Sequence, residues 1–147
     1  MIRRVYEQAK QSHLLSGVFV ATDDQRIVDE VENFGGNVIM TSSKHPSGTD
    51  RCFEVLEKIG KEKYDVVVNI QGDEPFIHPE QINKVLKSFE SKSVQISTLA
   101  HKIVDSRDLI NPSLVKIVRK ANGEEMGGIT GNQLREFYEN EQLPTNE

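Results

Sequence analysis

The sequence has 147 residues, of which 36% are hydrophobic and 28% charged, and its formal net charge is −5. These values are typical of one soluble globular domain, and no apolar run approaches the roughly 18 residues of a membrane span. The acidic balance without a basic stripe excludes nucleic acid as an expected partner. Residues 1–10 lack an apolar leader and the chain has a single cysteine, Cys52, so we expect a cytoplasmic location.

In the first half of the chain, the spacing of apolar residues alternates between helix and strand. Residues 2–9 predict an opening helix, and residues 18–21 predict a short apolar strand. Thr22 and Gln25 have the spacing of a capping box, so the next helix is predicted to begin there and to end at a pair of glycines. Residues 38–40 predict a second strand.

The second half continues this alternation. A helix follows the capping pair Ser47 and Asp50, and its spacing predicts that Phe53 and Leu56 are buried. Residues 66–70 give the clearest strand pattern, because their nearly continuous apolar character suits a strand covered on both faces. The other predicted elements are a helix from Pro79, a short helix at residues 105–109, and strands at residues 94–100 and 114–118.

The order of these elements predicts an α/β fold with a mostly parallel sheet and helices on both faces. Ligands in such folds bind at the carboxyl ends of the strands. Three polar segments follow strands, so we expect them to line one rim: residues 22–24, 41–51 and 71–75. The pattern predicts a core at residues 1–120 and an irregular tail at residues 121–147.

The segment after the clearest strand offers acidic groups in a tight turn. Gly72 allows close approach of the backbone to a ligand, and Pro75 fixes the end of the turn. Asp73 is placed to face a bound triphosphate and to hold Mg²⁺, which takes few protein ligands beside phosphate oxygens and water. An ordinary turn without a ligand explains the same residues, and both interpretations remain open at this point.

The segment at residues 45–51 combines small hydroxyl groups, a glycine and a guanidinium at a helix start. Free N–H groups there can bind an anion or the acceptor edge of a base. Capping of the helix by Ser47 requires the same residue types, and the residues alone favour this structural interpretation. Thr22 and Asp23 are likewise interpreted as a helix start, and Lys116 as a solvent-facing strand residue.

Taken together, these segments resemble CMP-Kdo synthetases, the 3-deoxy-manno-octulosonate cytidylyltransferases. The resemblance rests on residues 20–23, 45–51, 68–75 and 111–116, in that order. The strings Ser-Gly-Thr-x-Arg and Asn-Ile-Gln-Gly-Asp-Glu-Pro are specific when both are present. The resemblance covers about residues 1–119, and residues 125–147 are interpreted as unrelated to the family.

The resemblance implies a Rossmann-like, three-layer nucleotidyltransferase fold that lacks its first strand here, and a homodimer that requires Mg²⁺. It implies transfer of CMP from CTP to the sugar acid Kdo for lipopolysaccharide synthesis. Asp73 would hold Mg²⁺ and Gln71 would contact the sugar acid as the catalytic residues. The cytidine would be surrounded by Ser47, Gly48, Thr49 and Arg51.

The resemblance also leaves parts of the family pattern unmatched. The family begins with a strand and a basic, serine-containing loop that grips the triphosphate, and Met1 aligns after that loop. A second metal-binding aspartate and the histidine and tyrosine that hold the sugar have no match after residue 124. The alternative function is therefore a catalytically silent fragment that binds nucleotide or dimerises.

Overall fold

The computed structural model describes residues 1–119 and 125–129. Helix α1 (Ile2–Lys10) opens the chain as predicted, and it buries Val5, Tyr6 and Ala9. Their spacing of three and four residues puts them on one helix face. This face of α1 supplies part of the core.

A pair of parallel strands forms the centre of this part of the fold. Strand β1 (Val20–Thr22) pairs with β2 (Val38–Met40), with Val20 opposite Val38. Helix α2 (Gln25–Asn33) connects them. This parallel crossover through a helix agrees with the predicted α/β class.

The core beside these strands is built from apolar side chains of three elements. Tyr6, Val20 and Val31 are buried against one another, and the rings of Tyr6 and Phe34 lie 5.4 Å apart. The Tyr6 hydroxyl accepts a hydrogen bond from Asn37 N at 3.0 Å. The opening helix is therefore fixed to the β2 side of the sheet by apolar packing and by one polar contact.

The predicted capping box at Thr22 is wrong. Thr22 is the last residue of β1, paired with Met40, and it is buried. Asp24 is the N-cap of α2, and its carboxylate accepts from Arg26 N at 2.9 Å. Because the strand ladder holds Thr22 in an extended conformation, the helix begins later, and the Thr22 hydroxyl accepts instead from Asp24 N.

Helix α3 (Gly48–Ile59) begins at the predicted cap, Ser47. The prediction that Phe53 is buried is wrong, because 54% of its surface is exposed. Val55 is the buried residue of this helix, and Leu56 is half-buried. The helix is rotated so that Val55 rather than Phe53 faces the interior.

The strand predicted at residues 66–70 is not formed. Residues 66–70 belong to no helix or strand, and no backbone hydrogen bond joins them to any other described residue. The strand predicted at residues 94–100 is also not formed. An apolar sequence alone does not make a strand, because a ladder needs a neighbouring backbone.

Helix α4 (Pro79–Lys87) follows the predicted pattern closely. His78 is its N-cap: Nδ1 accepts from Glu80 N at 3.3 Å, and His78 N donates to Gln81 at 2.7 Å. Pro79 occupies the first helical turn, where its missing N–H costs nothing. Two 3₁₀ turns, Lys61–Lys63 and Ser88–Glu90, complete this part.

The chain divides into two compact units, residues 1–99 and 100–147. The second contains α5 (Ser106–Leu109), capped by Asp105, and strands β3 (Lys116–Arg119) and β4 (Glu125–Ile129), which pair antiparallel. The predicted core boundary at residue 120 and most of the predicted irregular tail lie outside the described residues. Residues 125–129, which carried no predicted element, form β4.

The interpretation of Lys116 as a solvent-facing residue is wrong. Only 4% of its surface is exposed, and its ammonium group donates to the carbonyl oxygens of Leu114, at 2.7 Å, and Asn111. These carbonyls satisfy the charged group where water does not reach it. Among the described residues, no helix is long and apolar enough to cross a membrane.

Candidate functional site

The carboxyl ends of β1 and β2 meet at one rim, as their parallel pairing requires. Thr41 N donates to Thr22 O at 2.8 Å, which extends the ladder just beyond β2. The segments that follow, at residues 22–24 and 41–47, therefore start side by side. Both are polar, and both lead into helices.

Arg51 ties these two segments together from the first turns of α3. Its guanidinium donates to Thr41 Oγ1 at 2.7 Å and to Ser42 O at 3.3 Å, and it lies 3.2 Å from the Asp23 carboxylate. The side chain is only 20% exposed. Arg51 is thus a structural part of the rim. Neither the interpretation of residues 45–51 as a helix start nor the cytidine contact implied by the resemblance predicted these contacts.

Ser47 has the capping role that the residues alone favoured. Its hydroxyl accepts from Asp50 N at 3.2 Å and also donates to the Asp50 carboxylate. Gly48 and Thr49, the next residues, are exposed at the helix start. The amino end of α3 thus presents small side chains and the partial positive charge of a helix N-terminus.

The end of the segment at residues 66–70 reaches the same helix start. Asn69 Nδ2 lies 3.5 Å from Thr49 Oγ1, and Gln71 Nε2 donates to Asn69 Oδ1 at 3.1 Å. A Cβ added to Gly48 would lie 3.1 Å from Gln71 Nε2, so a larger residue would crowd Gln71. The third polar segment therefore converges with the other two, and the predicted rim is formed around α3.

Asp73 lies in the turn beyond this point. The turn is closed by a hydrogen bond of 3.2 Å from Glu74 N to Gln71 O, and Asp73 is exposed. Within residues 1–119 and 125–129, its carboxylate has no ion pair or hydrogen bond, and no cluster of three metal-ligating side chains occurs. One exposed carboxylate fits Mg²⁺ that takes its other oxygens from a substrate and from water, and does not fit a closed metal site.

A charged group that the sequence reasoning missed lies behind the rim. The Glu54 carboxylate accepts from Ser42 N at 2.9 Å, pairs with Lys58 at 2.7 Å, and contacts His45 Nε2. The side-chain hydrogen bonds from Lys58 and His45 and the backbone bond from Ser42 lower the pKa of Glu54 to about 2. The spacing of four residues between Glu54 and Lys58 could have predicted an ion pair along the helix. The contacts of Glu54 with Ser42 and His45 could not be predicted in this way, because they depend on the conformation of the loop.

Two cavities adjoin the rim. The larger, of about 640 Å³, reaches Gly48, Arg51, Asn69 and Gln71 at one end. The smaller, of about 380 Å³, lies against Gln71 and Glu74. Asn69, Ile70 and Gln71 line both cavities, so the two spaces adjoin at these residues and could hold two parts of a reaction. The rim offers hydrogen-bond donors, a helix N-terminus and an exposed carboxylate, which together suit a phosphorylated ligand.

Comparison with known proteins identifies related chains. The family model described as Cytidylyltransferase matches residues 1–145. The match extends well beyond residue 119, so the interpretation of residues 125–147 as unrelated to the family is wrong.

Curated relatives carry the name 3-deoxy-manno-octulosonate cytidylyltransferase. The one from Parabacteroides distasonis is 53% identical over 130 residues, which are 86% of this chain and 51% of the relative. The one from Thermodesulfovibrio yellowstonii is 48% identical over 128 residues, 84% of this chain and 50% of the relative. The chain therefore spans about half the length of the curated relatives it matches.

A solved structure has a similar fold. It is described as CMP:2-keto-3-deoxy-manno-octonic acid synthetase complexed with CTP, and it matches with a TM-score of 0.80 and 37% sequence identity. The match covers 88% of this chain and 52% of that one. The predicted fold class and the resemblance to CMP-Kdo synthetases are confirmed.

Proposed function

The chain belongs to the cytidylyltransferase family, and on this premise we propose that it serves the transfer of CMP from CTP to Kdo. The products are CMP-Kdo and pyrophosphate, and the pathway served is lipopolysaccharide synthesis. The observation that carries the proposal is the convergence of three polar segments on the amino end of α3, where Thr49, Arg51 and Gln71 come together. The solved relative described as complexed with CTP supports the same ligand.

The proposed roles follow from where each side chain lies. Gly48 and Thr49, exposed at the start of α3, would contact the cytidine together with Ser47. Arg51 is held by Thr41 and Asp23, so it would act on the nucleotide mainly by fixing the shape of this pocket. These contacts pre-organise the rim before a ligand binds, which lowers the cost of binding.

Gln71 and Asp73 would act at the reacting end of the nucleotide. Gln71 is one of three residues that line both cavities, so we propose that it contacts the sugar acid beside the α-phosphate. Asp73, exposed in the adjoining turn, would hold Mg²⁺. Bound magnesium would neutralise charge on the phosphates, and the protein would contribute mainly by positioning the two reactants.

The cellular setting is part of the proposal. We propose a cytoplasmic homodimer: the resemblance implies the homodimer, and the cysteine usage favours the cytoplasm. Cys52 is the only cysteine in the sequence, so the chain cannot form an internal disulfide. This suits a reducing compartment.

The proposal is tested by calorimetric titration of CTP with Mg²⁺ into the purified chain. We expect saturable binding that is weakened about tenfold or more by Asp73→Ala, because one charge-assisted metal contact is removed. The matched control is Asp65→Ala: Asp65 is also exposed, but it precedes the segment at residues 66–70, whereas Asp73 follows it. Equal weakening by both variants, or no CTP binding at millimolar concentration, contradicts the proposal.

A second measurement separates transfer from simple binding. Pyrophosphate release is followed with CTP and Kdo, and again with UTP in place of CTP. Release that requires both CTP and Kdo supports the transferase. Binding of CTP without any release favours the silent nucleotide-binding fragment.

A further inference from the structure

Glu54 lies in the middle of α3, away from the exposed start of the helix, yet it contacts the loop that leads to that start. We propose that Glu54 is a positioning residue for cytidine binding: it holds residues 42–46, the entry loop, in the conformation that presents the start of α3 to the nucleotide. The proposal deepens the proposed function and rests on it. It also gives His45 a role, as the side chain of the entry loop that Glu54 contacts.

The backbone of the entry loop is not fixed by regular structure. Residues 42–46 belong to no helix or strand, and they make no backbone–backbone hydrogen bond among the described residues. Pro46 is the only apolar residue of the loop, and it is exposed. Because neither a ladder nor apolar packing orders this segment, its conformation depends on contacts from side chains.

One face of α3 supplies these contacts. Arg51, Glu54 and Lys58 are spaced three and four residues apart, so they lie on the same side of the helix. Arg51 donates to Ser42 O at 3.3 Å, and Lys58 Nζ donates to Met40 O at 2.8 Å, just before the loop. Glu54, between them, accepts from Ser42 N at 2.9 Å. This helix face therefore holds the chain from the end of β2 into the entry loop.

Glu54 is the residue of this face that contacts the entry loop at two different positions. Its Oε2 atom accepts from Ser42 N and also contacts His45 Nε2, while Oε1 pairs with Lys58 at 2.7 Å. The side chains of His45 and Glu54 are only 20% and 21% exposed. Hydrogen bonds from Lys58, His45 and Ser42 N lower the pKa of Glu54 to about 2, so the carboxylate is charged at neutral pH.

The entry loop joins two fixed points of the rim. Before it, Thr41 N donates to Thr22 O at 2.8 Å. After it, Ser47 caps α3 and accepts from Asp50 N. The conformation of the loop therefore sets how the chain enters the helix start that would contact the cytidine. A loop that adopts this conformation only part of the time lowers the apparent affinity by that fraction.

A purely electrostatic role for Glu54 predicts a change of opposite sign. A carboxylate near the rim repels a bound triphosphate, so its neutralisation would strengthen CTP binding. A positioning role predicts weaker binding, because Ser42 N and His45 lose their common partner. The direction of the change therefore distinguishes the two roles.

The test compares two variants of equal charge, Glu54→Ala and Glu54→Gln. Glutamine keeps an oxygen that can accept from Ser42 N, whereas alanine keeps none. Glu57→Ala is the matched control, because Glu57 is an exposed glutamate of the same helix with no hydrogen bond to the entry loop. Val31→Ala controls for a general loss of stability, because Val31 is buried in the core. Hydrogen exchange of the amides in residues 42–45 is measured without ligand, and CTP affinity by calorimetry with Mg²⁺.

We expect Glu54→Ala to speed amide exchange in the entry loop and to raise the Kd for CTP about fivefold or more. Glu54→Gln should stay within about twofold of the wild type, because it retains the acceptor for Ser42 N. Glu57→Ala and Val31→Ala should bind CTP as the wild type does. This pattern supports positioning through the loop.

Several other results would overturn the proposal. Equal weakening by Glu54→Ala and Glu54→Gln, or stronger binding by either, would favour the charge itself. Equal weakening by Val31→Ala would favour a general loss of stability. Faster exchange without weaker binding, weaker binding without faster exchange, or no change in Glu54→Ala would also overturn it, and if the wild type binds CTP the proposed function would stand. A wild-type chain that binds no CTP contradicts both proposals.

A double variant tests whether His45 acts through Glu54. His45→Ala alone should raise the Kd for CTP about twofold to threefold, because it removes one of the two loop contacts. Added to Glu54→Ala, it should cause no further change, because that contact is already lost. Independent, multiplying effects of the two substitutions would overturn the role given to His45.

Discussion

The two sides of strand β1 are built in different ways. On one side, β2 completes a ladder, and Tyr6, Val20 and Val31 pack beside it. On the other side lies the cavity, and residues 66–70 run along its far edge without a backbone partner among the described residues. We refer to these as the packed side and the open side.

Polar contacts hold the open side at its rim. Arg51 joins Thr41 and Asp23, and Asn69 approaches Thr49, although the middle of the open side is a cavity. The rim can therefore have a defined geometry without a closed interior beneath it. The candidate site is therefore formed on the open side, whereas the packed side supplies most of the apolar core that stabilises the fold.

The largest expected contrast between the two sides comes from one substitution made in each. Val31→Ala should lower the free energy of unfolding by about 2–3 kcal/mol, because Val31 is 0% exposed and its loss leaves a cavity. Val67→Ala is the matched control on the open side, where 48% of the side chain is exposed, and should change it by about 0.5 kcal/mol or less. Urea unfolding of both variants measures the difference, and equal losses would remove the distinction.

The next prediction concerns a buried polar contact between the end of α1 and α4. Ser12 Oγ donates to Asn83 Oδ1 at 2.6 Å, and Asn83 is 1% exposed. Asn83→Ala should lower the free energy of unfolding by about 1–2 kcal/mol, because the Ser12 hydroxyl is left buried and unpaired. Asn33→Ala, at an exposed asparagine, should have little effect on thermal unfolding. A neutral result for Asn83→Ala would mean that water replaces the lost partner.

A smaller effect is expected from the hydroxyl of Tyr6 on the packed side. Tyr6→Phe removes the acceptor for Asn37 N while keeping the ring, so we expect a loss of about 1 kcal/mol. Tyr64→Phe is the control beside the cavity, because the Tyr64 hydroxyl makes no hydrogen bond to the described residues. Chemical unfolding of the pair tests the prediction, which fails if the Tyr64 variant loses as much stability.

The smallest effect concerns acid sensitivity behind the rim. Lys58, His45 and Ser42 N favour the Glu54 carboxylate and lower its pKa from 4.5 to about 2. The resulting stabilisation is present above pH 4.5 and is lost as the pH falls from 4.5 through about 2. The wild-type chain should therefore lose more stability over this interval than Glu54→Gln does.

The exposed Glu57 on the same helix provides the control for this effect. Glu57→Gln should retain the acid sensitivity of the wild-type chain. Asp24, whose pKa is also lowered to about 2 by Arg26, titrates in every variant and cancels from the comparison. Parallel pH profiles for the wild type and Glu54→Gln would show that the Glu54 contacts do not contribute to stability.

Local patterns in the sequence determined several elements of this protein directly. The apolar spacing of α1, the cap at Ser47 and the helix start at Pro79 all occur as predicted. Each depends on residues within about four positions of one another, so the sequence contains both partners of the interaction. The two motif strings were also sufficient to indicate the family, which residues 1–145 match.

The tertiary structure decided everything that depends on distant partners. Thr22 lies in a strand because it pairs with Met40, and Lys116 is buried because it binds the carbonyl oxygens of its own loop. Residues 66–70 form no ladder because they have no backbone partner among the described residues. Two contacts of helix α3 depend on tertiary structure in the same way. Arg51 pairs with Asp23, which follows β1, and Glu54 binds Ser42 in the loop that precedes the helix. Sequence specifies which side chains are available, but their pairing requires chain closure over many residues, and only the folded structure fixes that geometry.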